Sequence, residues 1–78
     1  MTIEQQYIYD TIHECIDATL GYPMKIPGEC SIADAVADVE LRYGILESIN
    51  YEFDTDFGDD EIGEPLRMLC ARILEAAS

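Results

Sequence analysis

The sequence predicts a small all-α domain, a four-helix bundle with three main helices and one short helix. Three stretches repeat apolar residues every three or four positions, which is the spacing of one buried helix face. Helix-capping residues stand before two of these stretches and a proline before the third. No stretch of any length alternates as a strand does. With 78 residues, positions 1–78 are expected to form a single domain with one core.

The first helix is predicted over residues 2–20. Thr2 is a suitable N-cap, and Gln5 three places later completes a capping box. Gly21 is a plausible residue to follow the helix, and residues 21–30, with two prolines, are expected to cross the domain as a loop. The predicted buried stripe consists of Ile8, Ile12, Cys15, Ile16 and Leu20.

The second helix is predicted to run without interruption from Ser31 to Phe53. Ser31 and Asp34 match a second capping box. Gly44 lies in the middle at a cost of about 1 kcal/mol relative to alanine. Either a close helix crossing or simple tolerance would explain this glycine. The stripe close to a helical period is Val36, Tyr43, Leu46, Ile49 and Phe53, with Ile45 beside it.

An acidic run follows from residue 52 to residue 64, with seven acids and no base. Apolar residues interrupt it, so it is predicted to be a docked loop with one short helical turn near Asp60. Pro65 suits the first turn of the last helix. The predicted stripe of that helix is Leu66, Leu69, Cys70, Ile73 and Leu74.

The charge balance restricts the partners. Seventeen acids face four bases, which gives a formal net charge of −13. Nucleic acid and anionic membranes would be repelled, so a basic protein surface is the expected partner. From residue 29 to residue 64 there are twelve acids and a single base, Arg42. Asp38 lies four residues before Arg42, and the two can pair, which is worth only a few tenths of a kcal/mol at an exposed site.

The cysteines and the start of the chain indicate a reducing, soluble environment. Three widely spaced cysteines form neither a disulfide framework nor a CxxC pair. The first residues lack the basic region of a signal peptide, and no apolar run approaches the length of a membrane span. We therefore expect a soluble cytoplasmic protein.

Motifs for chemistry are weak. Residues 54–56 begin like a calcium-binding loop, but the fifth, sixth and twelfth positions hold Gly58, Asp59 and Pro65, so the motif fails. His13 has no companion ligands at metal spacing and is expected at the surface or the core boundary. No pair of carboxylates is marked out as acid and base. We predict no catalytic residue, no metal site and no resident cofactor, and hence no enzyme.

Taken in order, these landmarks resemble an acyl carrier protein over nearly the whole chain. The residues 2–4 open the first helix as in such carriers, Ser31-Ile32-Ala33-Asp34 looks like their Ser-Leu-Ala-Asp, and the residues 52–57 are similar to the segment that closes their second helix. The resemblance implies a four-helix carrier fold. It also implies an acidic second helix that meets basic patches on partner proteins.

The carrier function depends on an Asp-Ser-Leu motif, whose serine takes the phosphopantetheine arm. At the aligned place this chain has Asp38-Val39-Glu40, and valine offers no nucleophilic oxygen. A rival register aligns the motif with Leu46-Glu47-Ser48-Ile49. Ser48 would then carry the arm, although it lies only five positions before Phe53.

We therefore predict a non-enzymatic, acidic protein-binding module on an acyl-carrier-like fold. One particular form is a phage-type inhibitor that mimics nucleic-acid phosphates. The alternatives are a genuine carrier with phosphopantetheine on Ser48, or a small structural subunit of a larger assembly; the oligomeric state stays open. The predicted partner-binding carboxylates are Asp34, Asp38, Glu40, Glu47, Glu52, Asp54, Asp56, Asp59, Asp60 and Glu61.

Overall fold

The computed structural model describes residues 2–76, and these residues form five helices and no strand. Three helices are long and two consist of four residues each. The all-α prediction is confirmed, as is the short helix near Asp60. The helices are α1 (Ile3–Leu20), α2 (Ile32–Ala35), α3 (Val39–Phe53), α4 (Asp59–Ile62) and α5 (Leu66–Ala76).

The core forms where α1 packs against both α3 and α5. It is built largely from isoleucine, and full burial of each such side chain contributes about 1.5–3 kcal/mol. Tyr43, which the spacing placed in the buried stripe, lies instead 49% exposed, and Ile45 is fully buried. The most deeply buried side chains are Ile12, Ile16, Ile26, Ile32, Ile45, Ile49, Leu66, Leu69 and Ile73.

The predicted second helix is wrong in one respect, because it is broken into α2 and α3. Val36 adopts an extended backbone with φ −121° and ψ 105°, and it is buried in the core. Asp38 then starts a new helix as its N-cap. Its Oδ1 accepts hydrogen bonds from the N–H groups of Glu40, at 2.9 Å, and Leu41, at 3.3 Å. This local bonding competes with helix continuation and gives five helices where four were expected.

Arg42 stabilises the break from the α3 side. Its Nε donates to the carbonyl oxygen of Val36 at 2.5 Å, and its Nη2 donates to that of Ala33 at 2.8 Å. Carbonyl groups at a helix end lack partners within the helix, so these bonds satisfy the end of α2. The ion pair that the spacing of Asp38 and Arg42 allows is not formed, and Arg42 makes these contacts with the backbone instead.

Polar side chains four residues apart on α1 hold the loop of residues 21–30. The Tyr9 hydroxyl donates to the carbonyl oxygen of Ile26 at 2.5 Å, and His13 Nε2 accepts from the Ile26 N–H at 3.0 Å. One turn further along, Asp17 Oδ1 accepts from the N–H of Met24 at 2.9 Å. Both backbone polar groups of Ile26 are therefore satisfied by α1, which lets the isoleucine enter the core.

His13 is buried, with 8% exposure, and this is deeper than the surface or boundary position expected. Because Nε2 accepts from Ile26, Nδ1 carries the proton and donates to the carbonyl oxygen of Tyr9 at 2.9 Å. The ring also packs against Tyr9, with 4.4 Å between the centroids. The histidine is thus a structural link between α1 and the loop.

The same loop caps the start of α5. The N–H of Leu66 donates to the carbonyl oxygen of Cys30 at 2.8 Å, and the N–H of Arg67 donates to that of Gly28 at 2.9 Å. The first N–H groups of a helix have no partners within the helix, so the loop supplies them. The loop thereby joins the first and last helices.

Gly44 lies at the crossing of α1 and α3. A Cβ atom added there would stand 3.1 Å from Cγ2 of Thr19, which is closer than ordinary van der Waals contact. Of the two explanations offered by the sequence, the close crossing is the one the structure supports.

We predict that His13→Phe lowers the free energy of unfolding by about 1–3 kcal/mol, because the buried N–H of Ile26 loses its acceptor. Tyr9→Phe is the matched control, since it removes a hydrogen bond from the carbonyl side of the same residue. Its loss should be about 0.5–1.5 kcal/mol. Urea denaturation measures both, and an unchanged midpoint for His13→Phe would contradict the structural role.

Candidate protein-docking surface

The ten predicted partner-binding carboxylates lie on one continuous part of the chain but not on one face. Nine are exposed and Glu61 is half-buried. Asp34 lies on α2, and Asp38 precedes α3 as its cap. Along α3 and its end come Glu40, Glu47, Glu52 and Asp54; the following loop holds Asp56, and α4 holds Asp59, Asp60 and Glu61.

An apolar centre lies at the start of α3. Val39 is 52% exposed and Tyr43 is 49% exposed. Both line a cavity of about 280 Å³, together with Asp59 from α4 and with Ala33, Arg42 and Ile62. The Tyr43 hydroxyl lies 3.5 Å from Asp59 Oδ2. Sequence reasoning missed this centre because it assigned Tyr43 to the core.

Helix geometry brings further acids to this centre. Glu40 and Glu47 are seven residues apart, which is nearly two turns, and Glu47 is four residues after Tyr43, so these side chains are neighbours on the helix surface. We call Asp38, Val39, Glu40, Tyr43, Glu47 and Asp59 the α3 docking surface. It combines apolar and acidic groups, as protein interfaces commonly do.

Glu52 lies outside this surface. Burial raises the pKa of the Cys15 thiol on α1, and the negative charges of Glu52 and then Glu14 raise it further. The position of Glu52 on α3 is about 100–120° around the helix from Glu40. The prediction that grouped all ten acids thus joined carboxylates that point in different directions.

Hardly any of this negative charge is neutralised inside the domain. Between residues 2 and 76 the one salt bridge joins Arg72 to Glu64, with 2.5 Å between Nε and Oε1. The Arg72 hydrogen bond lowers the pKa of the Glu64 carboxyl. The guanidinium of Arg42, the single base from residue 29 to residue 64, donates to backbone carbonyls. Within residues 2–76, none of the ten predicted carboxylates has an ion-pair partner.

Asn50 orders the acidic loop that follows α3. Its Nδ2 donates to the carbonyl oxygen of Phe57 at 3.0 Å, and its Oδ1 accepts from the N–H of Phe57 at 2.9 Å. The same Oδ1 accepts from the Thr55 hydroxyl at 2.8 Å. Asp54 supports this turn with a left-handed backbone at φ 55°. Sequence reasoning did not single out Asn50. The only local signal for its role is a side-chain amide in the last turn of a helix.

Cys70 and Ser48 are poorly placed to act as nucleophiles. Burial raises the pKa of Cys70 to about 11, so this thiol is protonated at neutral pH and is a weak nucleophile. Ser48 lies half-buried in the third turn of α3, away from its start. Among residues 2–76, no three His, Cys, Asp or Glu side chains are arranged to hold a metal ion. No helix in this part is both long and apolar enough to cross a membrane.

Comparison with known protein families, curated proteins and solved structures gives no match for this chain.

We predict that Asn50→Ala lowers the free energy of unfolding by about 1–3 kcal/mol, because it removes three hydrogen bonds that order the loop. Thr55→Val, which removes one of the three, should cost less. Amide hydrogen exchange should also speed up at Phe57 in the alanine variant. Equal losses in the two variants would show that the loop does not depend on Asn50.

Proposed function

We propose that this chain is a non-enzymatic protein-binding module on an acyl-carrier-like fold, which docks onto a basic surface of a partner protein. The observation that carries the proposal is the unpaired charge of the α3 docking surface. Its acids surround Val39 and Tyr43, both about half exposed. Within residues 2–76 none of them has an ion-pair partner, and Arg42, which lines the same cavity, donates to backbone carbonyls, so cationic groups of a partner are the natural counterions.

The position at which α3 begins supports the acyl-carrier-like interpretation. α3 begins at Val39 with Asp38 as its cap, which is where the resemblance aligns the carrier motif. The residue at the first helical position is therefore a half-exposed hydrocarbon, where a carrier has its serine. On this reading, docking is retained and acyl transfer is lost.

Partner contact then has two parts. The apolar groups of Val39 and Tyr43 are removed from water at the centre, which contributes about 25 cal/mol per Å² of buried apolar surface. Glu40, Glu47 and Asp59 at the rim steer a basic surface towards this centre and select its orientation. The phage-type inhibitor is one form of this function, in which the rim carboxylates take the place of nucleic-acid phosphates.

The docking test compares two triple variants with the same loss of charge. Glu40→Gln/Glu47→Gln/Asp59→Asn neutralises the docking surface, and Asp10→Asn/Glu14→Gln/Glu75→Gln neutralises exposed acids elsewhere. We predict that a partner isolated with the wild-type chain binds the first variant roughly tenfold more weakly and the second almost unchanged. Titration calorimetry at low and high salt measures this.

Two results would contradict the proposal: equal weakening by both variants, or an affinity that does not fall as salt rises. Adding duplex DNA to the same titration examines the inhibitor form. If the carboxylates mimic phosphates, DNA and this chain should compete for the partner.

Measurement of the intact mass tests the alternative that this chain is a genuine acyl carrier protein. After incubation with coenzyme A and a promiscuous phosphopantetheinyl transferase, we predict an unchanged intact mass, because Val39 has no hydroxyl and Ser48 is half-buried in mid-helix. A known carrier protein is the positive control. A gain of one arm that Ser48→Ala abolishes would establish the carrier function and overturn our choice.

A further inference from the structure

A large apolar groove lies at the end of α3 remote from the docking surface. α3 is 15 residues long, so its two ends are about 20 Å apart. The groove has a volume of about 670 Å³ and is formed by the start of α1 and the ends of α3 and α5. We call it the terminal groove; its lining includes Ile3, Glu4, Tyr7, Ile8, Phe53, Ile73 and Leu74.

Apolar side chains at the edge of the terminal groove are exposed to solvent. Ile3 is 90% exposed and Tyr7 is 63% exposed. Ile8 and Ile73, by contrast, are buried and form its floor. A concave apolar surface with exposed apolar groups at its edge is typical of a binding site.

The charge around the terminal groove favours a cationic occupant. Among the described residues that line it, Glu4 is the one charged side chain. The four bases of the chain lie on other segments or faces: Lys25 in the 21–30 loop, Arg42 near the start of α3, Arg67 near the start of α5, and Arg72 paired with Glu64. With a net charge of −13, the whole surface attracts cations.

The same charge argues against a second copy of this chain as the occupant, because two chains of −13 repel each other. Residues 2–76 also offer no strand edge at which an extended peptide could add. A groove between helices is instead the usual site for the apolar face of an amphipathic helix.

We propose that the terminal groove binds a basic amphipathic helix of a partner protein. The apolar residues of that helix cover Ile3 and Tyr7 and fill the groove, and its Lys or Arg side chains approach Glu4. This site is separate from the α3 docking surface, and it does not depend on the proposed function.

The test uses a synthetic peptide of about 18 residues, long enough to form a helix, with leucine at helical spacing and lysine elsewhere. A scrambled peptide of the same composition keeps the charge and loses the apolar face. At about 0.15 M salt, where exposed charges are screened beyond about 8 Å, the amphipathic peptide should bind at least tenfold more tightly. NMR shifts should change at Ile8 and Phe53.

Variants then locate the site. Ile3→Ser and Tyr7→Ser should each weaken binding about tenfold, because apolar area that the peptide covers is lost. Tyr51→Ser is the matched control, since Tyr51 is 88% exposed but does not line the groove. It should leave the affinity unchanged.

Several outcomes would overturn this inference. Equal binding of the scrambled peptide would show attraction by charge alone. NMR shifts confined to Val39, Tyr43 and Asp59 would show that the peptide helix binds at the α3 docking surface instead, and would leave the proposed function intact. A dimer in sedimentation analysis that Ile3→Ser dissociates would make a second copy the occupant.

Discussion

The two hydrogen bonds from Arg42 to the carbonyl groups of Ala33 and Val36 are the constraint on which the candidate surface depends. They satisfy the end of α2, and so allow a helical segment to stop and restart within three residues. The restart places Asp38 as a cap and leaves Val39 exposed. A continuous helix would have no such start.

The main helices could be predicted because their signals are local. Thr2 and Gln5 form the predicted capping box, the Ser31 hydroxyl caps α2 by accepting from the N–H of Asp34, and the short helix near Asp60 lies within the acidic run as expected. Apolar spacing also found most of the core, since a face repeated every three or four residues must be covered by something. These features depend on neighbours in the chain, which the sequence displays directly.

The features that sequence reasoning missed depend on distant partners. The break in the second helix needs a guanidinium from the next helix, and the burial of His13 needs the backbone of Ile26. Tyr43 fits a helical stripe but lies on the side facing α4, where it meets Asp59 instead of the core. The periodicity of apolar residues shows which side chains share a face of one helix. It contains no information about which neighbouring element packs against that face.

The carboxylates of the docking surface and the polar groups that stabilise the fold lie in different parts of this small domain. The polar groups that stabilise it are mostly neutral or bonded to the backbone, as with Tyr9, His13 and Asn50. The carboxylates of the docking surface contribute few internal bonds: Asp38 caps α3, and Asp59 accepts from the Tyr43 hydroxyl at 3.5 Å. Neutralising Glu40, Glu47 or Asp59 should therefore relieve repulsion at little cost in stability. Within residues 2–76 none of the three carboxylates bonds to a buried backbone group, and Glu40 and Asp59 lose only the small helix-dipole contribution of a first-turn acid. Binding and folding can then be altered separately, which is what makes the surface accessible to experiment.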